Sequence, residues 1–254
     1  MSIRLLTLNL WNINEPLEPR YRALETGLKR LAPDIVCLQE VSCDPKSKRS
    51  QTGLVAAMCG HRHYIEESGL AILGSRPIAN FGSAPLPRFP GDPPRSVIMA
   101  EFQINGRPLL IINTHLAYPP QMVMERKRQA TTLLNILKRR QSKNTATAKV
   151  LCGDFNDVAS SPAVRTILDN GEKFIDAFNI CHPGRAGFTY SPRNPYVERS
   201  WKIDERIDYI FMNRYLTSKK CAVVFDGRNG FDFASDHFGV FCDMQFARST
   251  STVG

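Results

Sequence analysis

The chain has 254 residues, is 43% hydrophobic and carries a formal net charge of +9, with 33 Lys and Arg against 24 Asp and Glu. That is ample material for one large self-supporting core or two small ones. No apolar run approaches the length of a membrane span, and "MSIRLLTLNLW" has neither a long apolar stretch nor a small-residue cleavage site, so no signal peptide is expected.

In chain order, 3–10 (IRLLTLNL) reads as a strand and 20–32 (RYRALETGLKRLA) as a helix stopped by Pro33. A short apolar strand follows over 34–41 (DIVCLQEV), and another over 68–77 (SGLAILGSRP) closes at a Pro turn. The segment 95–116 contains two β-rich runs split by Asn105-Gly106, the dipeptide favoured in tight hairpins. Residues 121–141 form the strongest helical pattern, with Leu133, Leu134 and Leu137 on one face and cations crowding the last turn. The run 149–162 (KVLCGDFNDVASSP) begins as a buried strand and opens onto Asp154, Asn156 and Asp157. Strands over 206–213, 221–227 and 238–246 close the chain. Alternating elements without a Gly/Ser linker point to packed α and β layers in one domain over 1–247, with 248–254 as a flexible tail.

Seven cysteines are an odd number, and Cys37, Cys152 and Cys242 sit in apolar runs without zinc-type spacing. Reduced, buried thiols in a cytoplasmic protein account for them. The positive balance favours an anionic partner such as nucleic acid or a phosphorylated compound. Lys138, Arg139, Arg140, Lys143 and Lys149 cluster at one helix end and read as a solvated face, while Arg185, Arg193 and Arg199 lie in one loop.

The recurrent feature is a polar group at the end of an apolar strand. Asn9, Glu40, His115, Asp154 with Asn156, Asp208, and Asp236 with His237 all occupy such positions. Singly, each has an ordinary structural role, as a turn former, a cap or a satisfied core histidine. Six strand ends agreeing point instead to a site built on one rim. Carboxylate and amide oxygens suit a hard cation, and histidines add acid–base capacity, which together fit metal-assisted attack of water on a phosphorus ester.

In this order, "LLTLNLW", "PDIVCLQEV", "GLAILGSRPI", "PRSVIMAEF", "NTHL", "LCGDFND", "RIDYIF" and "SDHFGV" resemble the endonuclease/exonuclease/phosphatase superfamily across nearly the whole chain. "NTHL" is similar to the histidine-containing branch of deoxyribonucleases, sphingomyelinases and tyrosyl-DNA phosphodiesterases. The resemblance implies a four-layer α/β/β/α sandwich with two packed mixed sheets. It implies Mg²⁺ or Mn²⁺ at Glu40, Asn9 and Asp236. Asp154 and Asn156 would orient or deprotonate water, His237 would face phosphate and be oriented by Asp208, and His115 would be the second histidine. Arg95 would support the phosphate, and "FTYSPRNPY" implies Thr189, Tyr190 and Asn194 near substrate. The expected protein is a phosphodiesterase for nucleic acid or a related phosphodiester, or else a hydrolase of a small-molecule or lipid phosphoester. It is expected to be a monomer needing no protein partner.

Overall fold

A computed structural model describes residues 2–43, 48, 50–140 and 147–247. The proposed tail at 248–254 and Lys143 lie outside the described residues. Two six-stranded sheets stack face to face. In the first, β1 (Ile3–Asn9), β2 (Ile35–Gln39), β3 (His63–Glu67), β4 (Leu70–Gly74), β11 (Leu216–Val224) and β12 (Gly239–Phe246) run in the order β11-β12-β1-β2-β4-β3. In the second, β5 (Ile78–Pro85), β6 (Ser96–Ile104), β7 (Arg107–His115), β8 (Ala148–Asp154), β9 (Ile175–Asp176) and β10 (Asp208–Met212) run β5-β6-β7-β8-β10-β9.

Three cores separate four layers. The middle core joins the inward faces of both sheets, including Leu5, Ile35, Ile72, Ile98, Ile111, Val150 and Ile210. Helices α1 (Leu17–Leu31) and α2 (Gln51–Cys59) cover the first sheet through Leu24, Leu28 and Val55. Helices α3 (Val123–Arg140) and α4 (Pro162–Leu168) cover the second through Leu133, Leu137 and Ile167. A short α5 (Ala177–Cys181) packs beside β10 and β11. The expected α/β/β/α sandwich is therefore present.

Helix α1 starts a turn before the expected residue 20, because Leu17 is buried and its amide donates to Glu15 Oε2 at 2.7 Å. It ends at Ala32, left-handed at φ 42°, just before Pro33. Burying Leu24 or Leu28 stabilises by roughly 1.5–3 kcal/mol each. The exposed Arg22–Glu18 and Lys29–Glu25 pairs add only a few tenths of a kcal/mol, so packing holds this helix. The β6–β7 hairpin turns at Asn105 and Gly106 with φ of 53° and 72°, the left-handed pair that a tight turn requires.

Topology gathers the site. β1 and β2 run parallel, as do β7 and β8, so four strands end on the same rim. β12 is antiparallel to β1 and β10 is antiparallel to β8, so both start on that rim. Among the described residues no helix is long and apolar enough to cross a membrane.

Candidate active site

The rim holds a cleft of about 530 Å³ lined by Glu40, His115, Asp154, Asn156, Tyr190, Asp236 and His237 among others. Asp154 ends β8 and is 1% exposed. Its Oδ1 accepts the amide of Asn156 at 2.8 Å, and its Oδ2 accepts Asn9 Nδ2 at 2.9 Å. Asn9 Nδ2 also reaches Glu40 Oε1 at 3.2 Å, so one amide links the acids of both sheets. Glu40 follows Gln39, whose side chain faces the inter-sheet core. Strand alternation would send Glu40 to the opposite face. Its left-handed φ of 51° turns it to the cleft instead, an uncommon conformation held by the surrounding structure.

His237 Nδ1 lies 2.9 Å from Asp208 Oδ2, and its Nε2 faces Asp154 Oδ2 at 3.8 Å. Burial pulls its pKa down, but the carboxylates of Asp208, Asp154 and Asp236 outweigh this and hold it well above 6.5. The imidazolium is therefore the favoured form. His115 is the reverse case. Burial drives its pKa to about 3; the attraction of Asp154 is offset by the positive charges of Arg95 and His237. Asn156 Nδ2 donates to Leu116 O at 3.1 Å, which fixes the amide orientation, and it lies 2.9 Å from His115 Nε2. Nε2 is thus an acceptor and the ring proton sits on Nδ1. The 3.4 Å approach of His115 Nε2 to Asp154 is accordingly no ion pair.

Among the described residues, two groups could hold a cation. Asp154, Asp208 and His237 present ligand atoms within 4.8 Å of one another. That trio already contains a positive charge, the His237 imidazolium bonded to Asp208. Glu40 and Asp236 fit a divalent ion better. Asp236 is raised to about 6 by burial and, against the pull of His237, by the charge of Glu40. Clustered hard oxygens of this kind are the donor set of Mg²⁺ or Mn²⁺.

The remaining expected residues divide. Tyr190 lines the cleft, its ring centroid 4.9 Å from that of His237. Thr189 is fully buried and its hydroxyl accepts the amides of Ile207 and Asp208, both at 3.1 Å. Asn194 donates to the carbonyls of Ser235 and Asp236, both at 2.8 Å. Arg95 is bound twice by Asp92, at 2.9 and 2.7 Å, and acts on His115 through charge alone. These three side chains support the loops that carry the site, with Arg95 bonding through its Nε and Nη2.

Several lining residues had no sequence assignment: Tyr118, Arg126, Asp157, Glu198, Trp201 and Glu205. Arg126 could have been found, because it shares the helical face of Ala130, Leu133 and Leu137, where a cation needs partners. It binds Asp157 at 2.9 Å and three carbonyls of the 117–120 loop. Trp201 and Glu198 arrive from a loop without periodicity and left no local signal.

Fold and rim together define a sandwich protein with a buried acid–amide–histidine centre. The chain belongs to the Endonuclease/Exonuclease/phosphatase family, whose model matches residues 6–237, and members of that family hydrolyse phosphoester bonds. Similar solved structures include TDP2 from C. elegans, 18% identical with a TM-score of 0.79, covering 97% of this chain and 76% of that one. The human Nocturnin catalytic domain with bound sulfate anion is 18% identical with a TM-score of 0.75, covering 97% and 95%. An endonuclease/exonuclease/phosphatase from Beutenbergia cavernae DSM 12333 is 21% identical with a TM-score of 0.74, covering 97% and 72%. At these identities the structures speak for the fold. No curated protein matches the sequence.

Proposed function

We infer that this protein is a Mg²⁺- or Mn²⁺-dependent phosphodiesterase that hydrolyses nucleic acid or a related phosphodiester. The observation that carries the reading is the His237–Asp208 pair at 2.9 Å, with the second ring nitrogen turned onto the cleft floor beside Asp154. Glu40 and Asp236 would hold the cation, which when bound supplies charge stabilisation to the phosphoryl oxygens. Asn9, expected as a third ligand, turns its Nδ2 onto Glu40 and Asp154 and its Oδ1 onto the amide of Trp11 at 2.9 Å, and so orients the acids instead. Asp154, fixed by Asn9 and Asn156, orients water and takes its proton. Burial and the charge of Asp208 raise the Asp154 carboxyl, which favours proton acceptance. His237 donates from Nε2 to a phosphoryl oxygen while Asp208 holds the ring. Neutral His115 and Asn156 complete the polar floor, and Tyr190 walls the substrate side.

One observation favours the alternative, a small-molecule or lipid phosphoester. Six acids line the cleft (Glu40, Asp154, Asp157, Glu198, Glu205 and Asp236), whereas Arg126 is spent on Asp157 and carbonyls. A strand with phosphates on both sides of the scissile bond would meet repulsion there.

The deciding experiment is a hydrolysis panel with Mg²⁺ and Mn²⁺. It covers single- and double-stranded DNA, RNA, 5′-tyrosyl-DNA, sphingomyelin, inositol phosphates and bis-p-nitrophenyl phosphate. Turnover of a nucleic acid supports the first reading, turnover of only small or lipid esters the second, and no hydrolysis at all defeats both. The reading takes residues 1–247 as one monomeric catalytic unit in the cytoplasm, a setting in keeping with the buried, reduced thiols of Cys37, Cys152, Cys221 and Cys242.

A further inference from the structure

Beneath the cleft floor lies a polar layer to which no catalytic role belongs. Along β1 the side chains facing the inter-sheet core are Ile3, Leu5, Thr7 and Asn9; along β7 they are Leu109, Ile111, Asn113 and His115. The apolar positions end one step before the rim, and the next step is polar. Thr7, Gln39 and Asn113 are each 0% exposed.

Three of their four hydrogen bonds run from one sheet to the other, and the fourth, between Gln39 and Thr7, stays within the first sheet. Asn113 Nδ2, on the second sheet, donates to Leu38 O at 2.8 Å and Ala71 O at 3.0 Å on the first. Carbonyls only accept, so the Asn113 amide is fixed with Oδ1 toward Gln39. Gln39 Nε2 donates to that oxygen at 2.7 Å and to Thr7 Oγ1 at 3.0 Å. The outward oxygen of the Gln39 amide, Oε1, is buried without a partner. For stability alone this is a poor arrangement. An unpartnered buried oxygen is costly, and apolar side chains of similar shape serve as well or better.

Position explains it. Gln39 precedes Glu40, Thr7 lies two residues before Asn9, and Asn113 two before His115. Asn9 and Glu40 come from one sheet, His115 and Asp154 from the other. Apolar contact between sheets is non-directional, whereas hydrogen bonds fix register. We propose that Gln39 and Asn113, with Thr7 bracing Gln39 from within its own sheet, are positioning residues whose cross-sheet hydrogen bonds set the cation-facing Glu40 and its partner Asn9 against His115 and Asp154. This rests on the hydrolase reading given above.

The test compares Gln39→Met, Asn113→Leu and the double variant with wild type. Three quantities are measured: thermal midpoint, Mn²⁺ affinity by titration calorimetry, and turnover of a phosphodiester that the wild type hydrolyses. The expected result is Mn²⁺ affinity or turnover per folded molecule weakened about 10- to 100-fold in all three variants, the range seen when groups behind metal ligands are removed. The thermal midpoint should be lowered in each single variant, which leaves a buried partner unpaired, and less so in the double. A changed midpoint with wild-type Mn²⁺ affinity and wild-type turnover per folded molecule would overturn the proposal. If the double variant does not fold, Gln39→Met alone, which removes the cross-sheet bond to Asn113 Oδ1, is read in the same way. A wild type that binds Mn²⁺ but hydrolyses no phosphoester defeats the hydrolase reading, while the Mn²⁺ measurement still decides the positioning role.

Discussion

The two histidines of the cleft floor approach the same carboxylate, Asp154, yet favour opposite charge states. His237 is surrounded by three acids and holds its proton; His115 is buried beside Arg95 and His237 and loses it. Asp208 and His237 therefore act as a unit, and their losses should not add. Asp208→Ala and His237→Ala should each reduce turnover by about two orders of magnitude or more, and the double variant should be little worse than the poorer single. Fully additive losses in this double-mutant cycle would show that the two residues act separately. Away from the site, His61 makes a different residue-scale prediction. Its Nε2 meets Pro33 O at 3.0 Å, while Nδ1 is buried with no partner. Burial lowers its pKa below 6.5, so a second proton is harder to place in the folded state than in the unfolded one. The stability this represents is full above about pH 6.5 and is lost as pH falls through the lower folded value. In unfolding midpoints measured from pH 8 to 4, His61→Gln should lose less on the acid side than wild type.

At the scale of elements, the strands that carry the site were the legible ones. β1, β2, β7 and β8 are buried along most of their length and mainly apolar before their rim ends, so a polar residue there stands out. The elements without a sequence signal fail for physical reasons. β5 is an edge strand with Asn80, Phe81 and Ser83 exposed or half-exposed, so it lacks a buried face to alternate against. α2 carries Gly53 and no clear apolar stripe, and it is held by its Ser50 cap and by packing on the first sheet. β11 begins at Leu216 rather than 221 because Ser218 and the flanking lysines obscure its pattern around an irregular register. The Gly153 kink is a further element-scale device. It has φ 135°, and a Cβ there would stand 2.0 Å from Thr114 O. Gly153→Ala must push β8 from β7, just before Asp154. A lower thermal midpoint together with lost turnover is expected; a variant matching wild type in both would show that the close approach is dispensable.

Over the whole molecule, charge is distributed against the simplest expectation. The chain is basic, yet its cleft is acidic, with Arg126 and Arg95 each committed to a carboxylate. Net charge read from sequence indicates an anionic partner for some surface, but which surface carries that charge emerges only on folding. The same holds for Trp201, Glu198 and Tyr118, which converge on the cleft from loops far apart in sequence. The fold itself turns the spaced motifs into one centre, because parallel central strands and antiparallel flanking strands share a rim. The claim that this centre is a cation-dependent phosphoesterase is tested most directly by one assay. Hydrolysis of bis-p-nitrophenyl phosphate, or of the best substrate from the panel, is followed in Mg²⁺, in EDTA, and after Mg²⁺ or Mn²⁺ is restored, for wild type and for Glu40→Gln. The account predicts wild-type activity that stops in EDTA and returns with metal, and a folded Glu40→Gln protein without it. Full activity in EDTA, or in Glu40→Gln, would contradict the account.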